Sequence, residues 1–411
     1  MSNSKTVIVI GAGAAGFFAA IRCATVSPDC QVIILEKTTK VLSKVKVSGG
    51  GRCNVTHACF DIKKLLSFYP RGGKFLRPVF KNFSPTQTVE WFEQRGVPLK
   101  TEADNRIFPV SDSSQSIIDC LEEEAKHLGV QVRLQSAVID IQKTENQDFI
   151  IQTPTQQYIC QKVILAAGGH PQPQHYQIAA ALGHQIVEPV PSLFTFNTPN
   201  SPFLELAGVS TPESKVKISG VDMEQTQPLL ITHWGFSGPA VLKLSAWAAR
   251  ELAERNYRFD FQIHWLPKYN QEQLLQILQT KKQDSPQQQV SSHSVEGLPL
   301  RLWKSLCAQA GIEAAQRWVD LPKKNLNKLL DLLTRTVLQA EGKTTFKEEF
   351  VTAGGISAED IDWNTMESRV CKGLYFAGEI IDIDGVTGGF NFQAAWATGF
   401  VAGTNAAQML S

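Results

Sequence analysis

Charge of one sign is scarce in this chain. Its 411 residues carry 40 Lys and Arg against 39 Asp and Glu, a net charge of +1. A protein that holds nucleic acid or a membrane surface through bulk charge needs an excess, so the balance argues against both as partners. Long apolar runs are missing too: none approaches the ~20 residues of a membrane span. The first strand signal starts within a few residues of Met1. No signal peptide is expected, and the expected location is the cytoplasm. The eight cysteines, at positions 23, 30, 53, 59, 120, 160, 307 and 371, form no C-x-x-C and no Cys/His cluster with zinc spacing. That argues against a disulfide-reductase mechanism and offers no metal site. It predicts reduced, structural thiols. Finally, there is one G-x-G-x-x-G and no second, so one dinucleotide fold is expected.

What is present begins at Thr6. A β-branched apolar run ends at Ile10, glycines follow at Gly11, Gly13 and Gly16, and then come helix-forming residues. Strand before and helix after is the context this fingerprint needs. Gly11 allows the tight turn, Gly13 lets backbone approach a pyrophosphate, and Gly16 lets helix and strand pack closely. The free N–H groups of the helix start face the phosphates. Gln31-Val-Ile-Ile-Leu-Glu36 reads as the next parallel strand, ending in a carboxylate twenty residues past Gly16, placed to hold a ribose hydroxyl.

Further along, Lys44-Val-Lys-Val-Ser-Gly-Gly-Gly-Arg-Cys-Asn54 packs three glycines among charged and amide groups, which suggests backbone laid against a ligand. Residues 61–96 read as short helices, one starting at Ser84 with Pro at N1 and Gln at N3. An extended stretch 97–110, a helix from about Ser114 to Leu128 and extended runs at 130–134, 137–142 and 149–153 follow. Lys162-Val-Ile-Leu-Ala-Ala-Gly-Gly169 reads as a buried strand returning to the first sheet. Residues 191–268 have the Pro, Gly and alternating texture of an inserted β-rich domain, with one helix over about 239–254. Residues 269–344 look helical, broken by a polar, mobile loop at 283–292. Residues 345–411 return to strand and glycine texture, ending in a helix from Ala394 to Met409. The fold class is thus α/β: a discontinuous Rossmann-type domain, 1–190 plus 345–411, with two insertions.

Glycine-rich loops near both ends and after residue 165 would suit a long, pyrophosphate-bearing ligand, FAD or NAD. Glu379 after Gly378, suited to a ribityl chain, favours FAD. So does a helix start near Asn391 that could face a reduced flavin's anionic edge. The chain resembles the BaiN/RdsA-type (YhiN-like) NAD(P)/FAD-dependent oxidoreductases, some of them labelled aminoacetone oxidases. The resemblance rests on Gly11–Gly16, Ser48–Thr56, Arg106–Ser111, Thr232–Pro239, Thr365–Arg369, Gly373–Asp382 and Gly388–Ala394. It implies that Gly11, Gly13, Ala14, Ala15 and Gly16 hold the pyrophosphate of FAD, and Glu36 with Lys37 the adenosine side. Lys44, Ser48, Gly49, Gly50, Arg52, Cys53 and Asn54 would line the ribityl and flavin region, and Val138 would meet adenine through its backbone. Ala166, Ala167 and Gly168 would close the side. Gly378, Glu379 and Asp384 would take ribityl or phosphate groups, and Asn391, Phe392 and Gln393 the flavin edge. One departure is the loop Gly169-His-Pro-Gln-Pro-Gln-His-Tyr176, where such proteins carry Gly, Ser and Asp.

FAD would carry the redox chemistry, and the protein would supply position and electrostatics. His233, beside Trp234 and a glycine turn, is the first candidate acid/base group. Arg106 is a candidate anchor for an anionic substrate. His170 and His175 rank below them, and Cys53 beside Arg52 reads as a packing cysteine. The expected activity is oxidoreduction of a small organic molecule. It is either NAD(P)H-driven reduction of an activated double bond or oxidation of an amine-like donor, with NAD(P)H as a transient donor in the first version. Two alternatives are a tRNA-modifying flavoprotein, which predicts a basic face and salt-dependent RNA affinity, and a flavin-binding protein without turnover.

Overall fold

The computed structural model describes residues 5–344 and 351–408. The described chain divides into two compact units: residues up to 191 together with those from 351 onward, and residues 192–344. The expected boundary at 344/345 and the expected helix end at Met409 touch residues outside those described.

The first unit is built on a seven-stranded sheet. Five strands are parallel, in the order β3 (Gln131–Arg133), β2 (Gln31–Leu35), β1 (Thr6–Ile10), β4 (Lys162–Leu165), β5 (Leu374–Phe376). Two short antiparallel strands, Ile361–Asp362 and Glu367–Ser368, extend it beyond β5. Every residue of β1 is buried, as a parallel strand covered on both faces requires. Helix α1 (Ala14–Val26) follows the fingerprint and packs against α2 (Phe390–Gln408). Glycines on α2 make the contact close: a Cβ at Gly399 or Gly403 would stand 2.6 or 2.3 Å from the Ala15 or Ala19 carbonyl oxygen. Phe18 of α1 sits in an aromatic cluster with Phe83, Trp91 and Trp396. The helix at Pro85–Glu93 starts with the expected Ser84/Gln87 capping box.

The second unit has an all-antiparallel seven-stranded sheet. Its order is Thr336–Glu341, Arg258–His264, Ser210–Ile218, Glu224–Thr232, Gly235–Ser237, Thr195–Asn197, Lys343–Thr344. Helices Gln271–Asp284, Leu300–Gln309 and Lys323–Thr334 share one apolar core with that sheet, in which Phe236, Phe261, Trp265, Trp303 and Leu329 are buried together. The β-rich and helical stretches therefore pack as one unit.

Local readings differ from the structure in four places. The expected helix over 239–254 is two, Pro239–Trp247 and Ala249–Glu254. Strand Thr336–Glu341 lies inside the stretch read as helical, where it pairs with Arg258–His264. The polar stretch 283–292 is held in place: Val290 N–H donates to the Gln316 carbonyl, and the Trp303 indole donates to the Val290 carbonyl. Two apolar anchors outweigh a polar composition there. Finally, α2 begins at Phe390, four residues before Ala394, so residues 391–393 form its first turn.

Candidate functional site

The chain runs from β1 through β2 to β3 on one side, and β4 pairs with β1 on the other. The ends of β1 and β4 thus flank a topological switch point, where open α/β sheets bind ligands. Gly11 follows β1, and Ala166, Ala167 and Gly168 follow β4. A Cβ on Gly11 would lie 2.5 Å from the Ala166 carbonyl oxygen, and one on Gly16 would lie 1.9 Å from that of Gly11. Both glycines answer to the protein's own packing. Gly13 does not. Its φ of −89° suits any residue, and a Cβ there would meet no atom within 4 Å. The space above Gly13 is a cradle that a side chain would fill, at the start of a 13-residue helix with no side-chain cap and no acidic residue in its first turn. Donors and positive partial charge at such an end favour a phosphate. The residues present fit a dinucleotide.

Glu36 leaves the end of β2 and turns back to the fingerprint. Its carboxylate accepts from Ala12 N–H and Thr38 N–H, each at 2.9 Å. Lys37 beside it is exposed, and Val138 lies half-buried in the extended connection after β3. Residues 43–51 are helical up to Ser48, where the backbone breaks. Gly49, Gly50 and Gly51 then take left-handed φ of 57°, 69° and 85°. Side chains are costly in such a run, and Gly50 and Gly51 also face open space. Ser48 donates to the Val45 carbonyl. Cys53 is fully buried, and burial pushes its thiol up to about 12, which makes it inert at neutral pH.

The C-terminal residues meet these loops. Lys44 pairs with Glu379 at 2.7 Å, and the other Glu379 oxygen accepts from Thr352 N–H at 2.8 Å. Gly169 leaves only 2.8 Å between a would-be Cβ and the Glu379 carboxyl. Gly378, with φ 74°, donates to Thr398. Asn54 accepts from Gly389 N–H at 2.9 Å and donates to the Thr56 carbonyl. Segments from both ends of the chain thus close on one another around the switch point.

Several side chains have protein partners that the sequence reading did not foresee. Asp384 is buried and bidentately paired with Arg71. Gln393 is buried, accepts from Thr56 and Thr88, and donates to the Phe83 carbonyl. Asn391 bonds both backbone groups of Gly385. Phe392 stacks on Trp396. These side chains shape the start of α2, and its first-turn backbone N–H groups are what that end offers a ligand. Arg106 is tied to Asp104 (2.7 Å) and Glu102 (3.3 Å). Arg52 pairs with Glu102 (2.6 Å) and lies 4.0 Å over the Phe108 ring. Arg71 and Phe108 were missed; only the Gly-Gly after Arg71 hinted at a close approach.

In the divergent loop, His175 Nε2–H donates to the Gly168 carbonyl at 3.0 Å, and its ring stacks on His170 at 5.1 Å. Burial lowers both imidazole pKa values, and Lys37 and Lys44 lower that of His170 further. His233 belongs to the second unit, exposed on the turn between strands Glu224–Thr232 and Gly235–Ser237. A polar cleft of about 620 Å³ opens at the starting ends of β1, β2 and β3, beside Thr6, Gln31, Gln131 and Arg133. It lies at the opposite strand ends from the glycine loops. Among the described residues no helix is long and apolar enough to cross a membrane.

Comparison with known proteins agrees with this geometry. The model of the HI0933-like protein Rossmann domain matches residues 5–405. A 3-dehydro-bile acid Δ4,6-reductase of Clostridium scindens is 30% identical over 408 residues, 97% of this chain and 98% of that one. A ribosomal RNA dihydrouridine synthase of Haemophilus influenzae is 29% identical over 412 residues, again 97% and 98%. Among solved structures, a flavocytochrome c3 fumarate reductase aligns with all of this chain and 79% of its own, with 16% identity and a TM-score of 0.52. That last likeness concerns the fold alone. With the family model spanning nearly its whole length, the chain belongs to the HI0933-like family and is a flavoprotein oxidoreductase built on that family's Rossmann domain.

Proposed function

We propose that this protein reduces a carbon–carbon double bond conjugated to a carbonyl, with FAD as resident cofactor and NAD(P)H as transient electron donor. The observation that carries the FAD site is Gly13, a glycine that no protein contact and no backbone angle requires. The names of the two relatives support the reaction class. Saturating a 3-keto Δ4,6 system and making dihydrouridine both add two hydrogens across a double bond conjugated to a carbonyl.

FAD, when bound, supplies hydride-transfer chemistry. The chain's own residues do the rest. Gly13 and the first turn of α1 face the diphosphate, and Glu36 takes ribose hydroxyls. The Lys44–Glu379 pair, fixed by Thr352 N–H, orients the middle of the cofactor. The start of α2 sets positive partial charge at the flavin edge. Saturation also needs a proton at the carbon next to the hydride acceptor; His233, the candidate from the sequence, lies on a turn of the second unit and is assigned no part in the first unit's site. Arg106, ion-paired on two sides, is assigned no substrate contact.

The test is anaerobic. NADPH should bleach the bound flavin, and a 4-en-3-one steroid or a uridine-containing oligonucleotide should restore the colour without oxygen. A flavin that amines reduce and only oxygen reoxidises would overturn the reading in favour of an oxidase.

A further inference from the structure

The loop after β4 is the one motif that the proposed reaction leaves without a role. Gly169-His-Pro-Gln-Pro-Gln-His-Tyr176 is bonded to itself at several points. The buried Tyr176 hydroxyl accepts from His170 N–H and donates to the His170 carbonyl, each at 3.1 Å. His170 Nδ1 accepts from Gln172 N–H at 3.1 Å. Pro171 and Pro173 fix φ on either side of Gln172. The two imidazole rings lie 5.1 Å apart and 28° from parallel. The Tyr176 ring meets His175 edge-on at 5.2 Å. These bonds hold both histidines in one arrangement.

The pair stands against the dinucleotide loops. His175 Nε2–H donates to the Gly168 carbonyl at 3.0 Å. The stretch that ends at Gly168 packs on Gly11, two residues before the Gly13 cradle. Glu36 takes Ala12 N–H beside the same cradle. Lys37, which follows it, lies near both rings, and Lys44 lies near His170. Two carboxylates, Glu379 and Asp382, lie near the Tyr176 hydroxyl, and Glu379 is also the partner of Lys44. The fixed charges therefore do not favour an anion. Lys37 and Lys44 bring two positive charges, while Glu36, Glu379 and Asp382 bring three negative ones, leaving one negative. A dinucleotide diphosphate adds two more. The start of α1 returns only about half a charge.

The histidine pair can supply what is missing. Burial and the neighbouring lysines favour neutral rings. A diphosphate beside them acts the other way, because an opposite charge favours the protonated form. The hydrogen bonds say which ring charges first. His175 keeps its Nε2–H on Gly168 while Nδ1 gains the proton. His170 would have to give up the Gln172 N–H bond at Nδ1. We infer that the loop 169–176 is a proton-operated clamp on the dinucleotide: the diphosphate binds together with a proton taken up on His175, and then on His170, so that the protein grips FAD more tightly as pH falls. This rests on FAD as resident cofactor and is independent of the substrate.

The test uses the full-length, flavin-loaded protein, diluted at a series of pH values from about 6 to about 9. Free FAD is read by its fluorescence, and the slope of log Kd against pH counts the protons bound with the cofactor. Wild type should lose affinity as pH rises, by about tenfold per pH unit for each proton given up. His175→Gln, whose amide can still donate to Gly168, should remove most of the slope. His170→Gln/His175→Gln should remove it all. At pH 9 both variants should match wild type, whose own rings are neutral there; a loss of affinity equal at every pH would mean a structural role and overturn the inference. His264→Asn removes a second-unit imidazole whose pKa burial also lowers, and it should change nothing. A flat wild-type profile, or a slope that survives the double variant, overturns the clamp and leaves FAD in its site. Protein that carries no flavin and binds none at any pH overturns the cofactor reading itself.

Discussion

Glycines in the two units exist for different reasons. In the second unit Gly235 sits in a tight turn, where a Cβ would lie 2.0 Å from the Phe196 carbonyl oxygen and φ is 151°. Its neighbours explain it completely. In the first unit Gly16 is explained the same way, by the Gly11 carbonyl, but Gly13, three residues away at the N-cap of α1, has an ordinary φ and no protein atom near a would-be Cβ. The difference separates glycine as packing from glycine as vacancy. A glycine with ordinary φ and open space above it points to a ligand more specifically than the motif that contains it.

The contrast can be broken by substitution. Gly16→Ala and Gly235→Ala should each destabilise by ~3 kcal/mol or more, because backbone must move to admit the methyl group. Chemical denaturation would read this, and near-wild-type stability in either would dissolve the comparison. Asp384→Asn should cost ~3 kcal/mol by removing the carboxylate charge that half-buried Arg71 pairs with. Its place in that ladder tests whether Asp384 is chiefly an ion-pair partner. Gly13→Val should leave the denaturation midpoint almost unchanged while flavin absorbance in the purified protein falls at least tenfold. A yellow Gly13→Val protein would remove the best evidence for the cofactor site.

The smallest effect expected is one of pH. His170 and His175 have folded pKa values below the ordinary 6.5. Above 6.5 both states are neutral and the pair contributes no pH dependence. As pH falls below 6.5, the unfolded chain takes up protons first, so stability declines until pH passes the folded values. The thermal midpoint should drop between pH 7 and pH 5, and His175→Asn should remove part of that drop. His184 and His264, also lowered by burial, account for another part. A wild-type midpoint that rises as pH falls over that range would contradict the neutral stacked pair.

How much was legible followed sequence distance. Gly11, Gly13, Gly16 and Glu36 lie within a strand–helix–strand whose spacing is fixed by local geometry, so the residues announced their arrangement. The Ser84 cap could be read for the same reason. Arg71 and Asp384 are 313 positions apart, and no periodicity links them. Gln393 read as a flavin contact because its neighbours suggested a ligand, yet Thr56 and Thr88, 337 and 305 residues away, take up its side chain. The strand Thr336–Glu341 was hidden because its partner, Arg258–His264, precedes it by three helices.

The sequence by itself determined that a dinucleotide fold begins at Thr6, because turn, phosphate approach and ribose carboxylate are encoded within about 30 consecutive residues. Only the tertiary structure decided which polar side chains are free for a ligand and which are consumed by the protein. That choice depends on partners hundreds of residues away, which burial forces to be satisfied.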